Sequence, residues 1–176
     1  IMTPKSLLRN KMATSKKKDF LSGSSFHRVL WDDAQLGISK TKLVPDEQIK
    51  RVVICSGKVY YDLLVQRDKN GLTDIYLLRL EQFYPFPAMS LTEELSRFKN
   101  ATVIWCQEEP KNQGAWAFVE PNLEWVLAKI KSKCKRAFYC GREGAASPAT
   151  GLATQHNEQQ RRLISKAIGL EGENND

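Results

Sequence analysis

Four short apolar runs punctuate the chain, and each is followed by apolar residues recurring at helical spacing. The first, Arg51-Val52-Val53-Ile54-Cys55, is apolar after its opening residue, as a parallel strand covered on both faces is. Ser56-Gly57-Lys58 ends it; Val59, Leu63 and Leu64 then share one face of a helix over 59–69, and Asn70-Gly71 stops that helix. A second strand over 75–80 runs into Glu81-Gln82-Phe83-Tyr84-Pro85-Phe86-Pro87, where Pro85 and Pro87 hold the chain extended and exclude helix until Ala88. Leu91, Leu95 and Phe98 form the next helical stripe, ended by Lys99-Asn100. The third strand, 102–106, is short and rich in β-branched and aromatic residues. It enters the stretch from Gln107 to Trp116, where Pro110 is expected to stop the strand and Asn112 to cap the next helix through its side-chain oxygen. Gly114 is expected to let the backbone approach another group closely. Trp116, Val119, Leu123, Val126, Leu127 and Ile130 continue at helical spacing, with Pro121 marking a kink or the helix start. A fourth strand over 135–140 leads into the small-residue run 141–151, and a last helix over 156–168 turns Leu163, Ile164 and Ala167 inward.

Four strand patterns alternating with four helix patterns predict an α/β fold: a mainly parallel open sheet of four to five strands with helices on both faces. The alternation occupies residues 44–170, and 171–176 form a polar tail. Residues 1–43 read differently. Ile precedes Met at the start, as in a fragment cut from something longer, and residues 1–9 suggest the end of a strand followed by a short helical turn after Pro4. From Asn10 to Leu43 the pattern dissolves into Lys, Ser, Asp and Gly with scattered apolar residues. Phe20, Leu21, Phe26, Val29, Leu30 and Trp31 are expected to pin this extended segment onto a surface.

The 176 residues suit one domain with a real core. Lys and Arg number 27 against 20 Asp and Glu, a net charge of +7. Six of those charges come from Lys5, Arg9, Lys11, Lys16, Lys17 and Lys18, so the fold itself carries no nucleic-acid footprint. Cys55, Cys106, Cys134 and Cys140 form no C-x-x-C pair, and His27 and His156 are the only histidines, which yields no zinc signature. Cys55 and Cys106 fall inside apolar runs as small buried hydrophobes, and reduced thiols of a cytoplasm or organelle matrix are expected. No apolar run approaches the roughly twenty residues of a membrane helix, and the N-terminus has no hydrophobic core of a signal peptide.

Candidate chemistry gathers where the strands end, since ligands and partners bind at the carboxyl edge of an open α/β sheet. Gln107, Glu108 and Glu109 stand there. Adjacent residues leaving a strand point apart, so the two carboxylates are read first as partners of Arg, Lys or a helix N-terminus, and only second as an acid/base pair. Ser56-Gly57-Lys58 resembles a phosphate loop but lacks the spaced glycines of a Walker motif, and Ser56 serves equally as a helix cap. The small residues of 141–151 fit a backbone passing close to a ligand or to a subunit contact.

Five strings together identify a resemblance: M-T-P-K-S-L-L-R at 2–9, C-S-G-K-V-Y-Y-D-L at 55–63, R-L-E-Q-F-Y-P-F-P at 79–87, W-C-Q-E-E-P-K-N-Q-G-A-W at 105–116 and G-R-x-x-x-A-S-P-A-T-G at 141–151. They resemble the C-terminal domain of 2-oxoglutarate dehydrogenase, the thiamine diphosphate-dependent decarboxylating component, with a transketolase C-terminal-like fold. Residues 16–43 match none of these strings. The resemblance implies a full-length homodimeric enzyme that decarboxylates 2-oxoglutarate and succinylates the lipoyl group of a succinyltransferase component, in the cytoplasm of a bacterium or the mitochondrial matrix of a eukaryote. It implies thiamine diphosphate and Mg2+ in the preceding domains, and none in this chain, which lacks the G-D-G…N-N motif. No catalytic residue is carried over. The motif-loop residues Glu81, Gln82, Gln107, Glu108, Glu109, Asn112, Gln113, Gly114, Trp116, Gly141, Arg142, Ser147 and Pro148 are expected at interfaces that support the dimer and the active-site architecture. Lys5, Arg9 and Lys58 are alternative phosphate contacts for a nucleotide or acyl-CoA effector, and a polyanion-binding module built on the basic N-terminus is the further alternative.

Overall fold

In a computed structural model the chain is described over residues 3–170. The strand end at residues 1–2 and the polar tail 171–176 expected from the sequence lie outside them. Five strands form one sheet: β1 (Val29–Leu30), β2 (Arg51–Cys55), β3 (Ile75–Leu80), β4 (Thr102–Pro110) and β5 (Phe138–Arg142), in the order β1-β3-β2-β4-β5. Four strands run parallel, and β1 pairs antiparallel with β3 at one edge. β2, apolar from Val52 to Cys55, takes the centre, where both neighbours shield its backbone and both faces are covered.

Alternation along the strands divides the core into two layers. Val52, Ile54, Leu78, Val103 and Trp105 face α2 (Ala88–Leu95) and α3 (Trp116–Lys129), meeting Leu91, Leu95, Val119 and Leu123. Val53, Cys55, Leu77, Ile104 and Cys106 face the other way, against α1 (Val59–Lys69) and α4 (Ala153–Ala167). Helices therefore cover both faces of a mainly parallel sheet, as the pattern predicts.

Several boundaries move. β4 runs four residues past Cys106, because Pro110 sits opposite Arg142 of β5 where the ladder bond comes from Lys111 N–H to the Arg142 carbonyl at 3.0 Å and needs no donor from proline. Pro121 lies inside α3 rather than at its start. β5 begins at Phe138, not Lys135, and α4 begins three residues earlier than expected.

The largest departure concerns residues 20–43. Val29 is buried, in the unanticipated strand β1, but Phe20, Leu21, Phe26 and Trp31 remain exposed. A polar anchor holds the segment instead. Asp32 and Arg67 are both fully buried and ion-paired; Asp32 also accepts the Leu77 N–H at 2.6 Å and the Ala34 N–H at 2.8 Å. Beside them Asp68 accepts the hydroxyls of Ser39 and Thr41 at 2.7 and 2.6 Å. Asp32 can be enclosed because a partner 35 positions away meets its charge.

Candidate functional site

The carboxyl edge is organised by Gln107. Its side chain is only 4% exposed and every polar atom on it is used. Oε1 accepts the Trp105 indole N–H at 2.8 Å and the Trp116 backbone N–H at 3.1 Å, while Nε2 donates to the carbonyls of Gln113 at 2.8 Å and of Glu109 and Pro110 at 3.2 Å. One glutamine thereby ties the strand end, the turn and the first turn of α3 together. It also takes the capping role expected of Asn112: α3 has no side-chain cap at Ala115, and its Trp116 N–H is satisfied from inside the sheet. Gly114, at φ +67°, permits this, since a Cβ there would stand 3.0 Å from Gln107 Nε2 and from Glu109 Cβ.

Asn112 and Gln113 reach sideways to the 141–151 loop. Asn112 accepts the Ala145 N–H and donates to the Ala145 carbonyl, both at 3.0 Å, and Gln113 Nε2 adds a second donor to that carbonyl at 3.2 Å. Gly141 is required by close approach: a Cβ would collide with the Tyr139 hydroxyl and lie 2.7 Å from the Gln107 carbonyl. Trp116 is buried with its ring 5.4 Å from that of Tyr139, whose hydroxyl donates to the Arg142 carbonyl at 2.7 Å. The two longest sequence motifs therefore interlock.

Glu108 and Glu109 diverge, as strand alternation requires. Glu108 pairs with Lys58 Nζ at 2.5 Å and accepts the Gln160 amide at 2.9 Å. Gln160 also bonds Asp62 at 3.0 Å and Arg142 at 2.9 Å, and Arg142 donates further to the Glu108 carbonyl and approaches His156 Nδ1 at 3.3 Å. Burial opposes the charge on Lys58, but Glu108 and Asp62 outweigh it and hold the ammonium above its ordinary value. Glu109 is exposed, and its carboxylate has no partner among the described residues. Glu81 approaches Arg79 at 3.9 Å, Gln82 donates to the Pro85 carbonyl at 2.7 Å, and both backbone N–H groups bond the Arg28 carbonyl. Ser147 and Pro148 are exposed, the Ser147 hydroxyl donating to the Ala149 carbonyl at 2.9 Å.

These elements enclose a cavity of about 550 Å3. Phe83, Trp105 and Phe118 give it apolar walls, Lys58, Glu108 and Glu109 its charged rim, and Gly114 and Pro4 complete it. Lys5 and Arg9 lie exposed outside the lining. Ser56 lines it without capping α1, which has no side-chain cap. The lining holds no histidine or cysteine to activate a nucleophile, and its one lysine is already ion-paired. Among the described residues no group of three or more His, Cys, Asp or Glu could hold a metal ion. Such a pocket can seat an apolar side chain and a cationic group.

Sequence reasoning missed Gln160, His156, Asp62 and Tyr139, all bound into this edge. Only tertiary contact brings them there, because Gln160 reads as one more outward polar residue on α4.

Comparison with known proteins agrees with these motifs. The family model described as 2-oxoglutarate dehydrogenase C-terminal matches residues 14–168. Proteins named 2-oxoglutarate dehydrogenase E1 component from Brucella anthropi, Brucella ovis and Brucella canis are each 57% identical over 170 residues, which is 96% of this chain. The chain spans 17% of the length of those relatives. By the extent of the family match and this identity, the chain belongs to the 2-oxoglutarate dehydrogenase C-terminal family.

Proposed function

We propose that this chain is the C-terminal domain of a thiamine diphosphate-dependent 2-oxoglutarate dehydrogenase, and that its task is architectural. In the whole enzyme 2-oxoglutarate is decarboxylated and the succinyl group passes to the lipoyl arm of a succinyltransferase component, in a bacterial cytoplasm or a mitochondrial matrix. Thiamine diphosphate supplies the carbanion stabilisation for that reaction, with Mg2+ on its diphosphate. The residues of this chain do not suit that group: the cavity beside Ser56-Gly57-Lys58 presents Glu108 and Glu109 to a diphosphate, and its single lysine is neutralised by Glu108. No chemical step is assigned to them.

The observation that carries the reading is the interlocking of the motif loops. Gln107, Asn112, Gln113, Gly114 and Gly141 hold 107–116 and 141–151 in one rigid edge, while Tyr84, at 83% exposure, and Phe118 stand open to solvent beside it. Rigid backbone with exposed aromatics is what a domain presents to a preceding domain and a partner subunit. The effector reading through Lys5, Arg9 and Lys58 is weaker, because Lys58 is committed to Glu108.

The test compares this chain with the longer enzyme. Calorimetric titration of the chain with thiamine diphosphate and Mg2+ should give no binding heat, and the chain should not consume 2-oxoglutarate, whereas the longer protein should do both. Cofactor binding by the chain alone would overturn the proposal.

A further inference from the structure

Three charged side chains line the 550 Å3 cavity, and only one of them is left over. Lys58 lies 2.5 Å from Glu108 and 3.5 Å from Asp62, and Glu108 also accepts the Gln160 amide at 2.9 Å. Two acids against one base make the lining net negative, and the surplus falls on Glu109, whose carboxylate has no partner among the described residues. The base of that side chain is fixed: the Glu109 carbonyl accepts Gln107 Nε2 and the Tyr139 hydroxyl, both at 3.2 Å.

A glutamate on an open surface is ordinarily met by water. Glu109 instead rims a cavity walled by Phe83, Trp105 and Phe118, with Gly114 and Ala115 leaving the space between them unfilled. Aromatic walls beside a free carboxylate suit arginine: a planar guanidinium lies against a ring face, gives a carboxylate two parallel N–H bonds, and holds its water less tightly than an ammonium does. Arginine and aromatic residues are also enriched in the buried cores of interfaces. The position of the cavity indicates where such an arginine would come from. Pro4 belongs to its lining. The chain matches a C-terminal family model and spans 17% of its longer relatives, so in an enzyme of that length the preceding polypeptide joins this domain at the cavity wall.

We propose, on the reading of this chain as the C-terminal domain of a longer enzyme, that the cavity receives an arginine of the preceding domain, its guanidinium paired with Glu109 and its apolar neighbours packed on Phe83 and Phe118. Glu109 is then the charge that orients this domain on the one before it, and Lys58, already paired with Glu108, takes no part. A covered pair of this kind is sensitive to either partner, because removing one leaves the other charge away from water and unmet.

The experiment is amide hydrogen exchange over 81–87 and 107–119, read by mass spectrometry in the 176-residue chain and in the longer protein, each as native, Glu109→Gln and Glu109→Lys. In the native longer protein these segments should exchange more slowly than in the chain. Glu109→Gln should speed their exchange about tenfold there, and Glu109→Lys further, while neither substitution changes the chain alone. Slow exchange in the longer protein that neither substitution alters would overturn the arginine pairing and leave the domain contact standing. Equal native exchange in the two proteins would remove the contact itself. Faster exchange of the variants in both proteins would assign Glu109 to the start of α3 instead, and a neutral Glu109→Gln with a disruptive Glu109→Lys would mean an uncharged neighbour; either result overturns the proposal.

Discussion

Replacing Gln107 by leucine should cost this domain more than any other single change at the carboxyl edge. The substitution keeps the volume and loses five hydrogen bonds. The buried Trp105 indole N–H and the Trp116 N–H at the start of α3 would be left without an acceptor, in a place closed to water. Each orphaned donor costs about 1–3 kcal/mol, and the carbonyls of Glu109, Pro110 and Gln113 lose a donor as well, so the total is about 3–5 kcal/mol. For a chain of this size that is a fall in Tm of about 8–15 °C, a large share of a typical stability of about 5–15 kcal/mol. Urea denaturation followed by tryptophan fluorescence measures the loss directly. Glu109→Gln is the control: it lies two residues away, is exposed and has no side-chain partner, so it should stay within about 0.5 kcal/mol of the native chain. A Gln107→Leu loss below about 1 kcal/mol, or one equal to that of the control, would refute the reading of Gln107 as the hub.

Arg67→Met should destabilise the domain by about 3–5 kcal/mol, since it leaves Asp32 charged and enclosed, whereas pairing it with Asp32→Leu should recover part of the loss in denaturant titrations. Gly141→Ala should displace β5 from β4, with a thermal shift and altered amide signals at Ala145 and Arg142, because a Cβ meets the Gln107 carbonyl and the Tyr139 hydroxyl. Burial alone would raise the Asp68 carboxyl, but the Thr41 and Ser39 hydroxyls and the Arg67 guanidinium outweigh it and hold it below its ordinary value. Its contribution is therefore complete above the unfolded aspartate value of about 3.9 and is lost as pH falls through the lower folded value, so Asp68→Asn should flatten that acid limb of the stability curve.

Much of this fold could be read from apolar spacing. β2, α1 and β3 begin and end where the residues say, because a run such as Val52 to Cys55 fits a doubly covered strand and Asn70-Gly71 can only stop a helix. Signals failed where tertiary contact overrode local rules. Pro110 ends a strand in isolation, but here the neighbouring Lys111 supplies the ladder donor. Asn112 is a good cap by chemistry, but Ala145 claims both ends of its amide, and a glutamine inside the strand replaces it. β1 has two residues, too few to carry a period, and the Asp32–Arg67 pair joins positions whose sequence separation hides them. The motif strings 107–116 and 141–151 do meet in space; which side chains join them could not be known without the packing of α4 and Tyr139.

The central claim is that the exposed carboxyl edge of this domain is covered in the whole enzyme. Hydroxyl-radical footprinting of Tyr84 and Phe118, compared between the 176-residue chain and the longer protein, tests it directly. Both rings are open to solvent in this chain, so the account predicts strong labelling here and a several-fold loss of labelling in the longer protein. Equal labelling of both rings in the two proteins would contradict it.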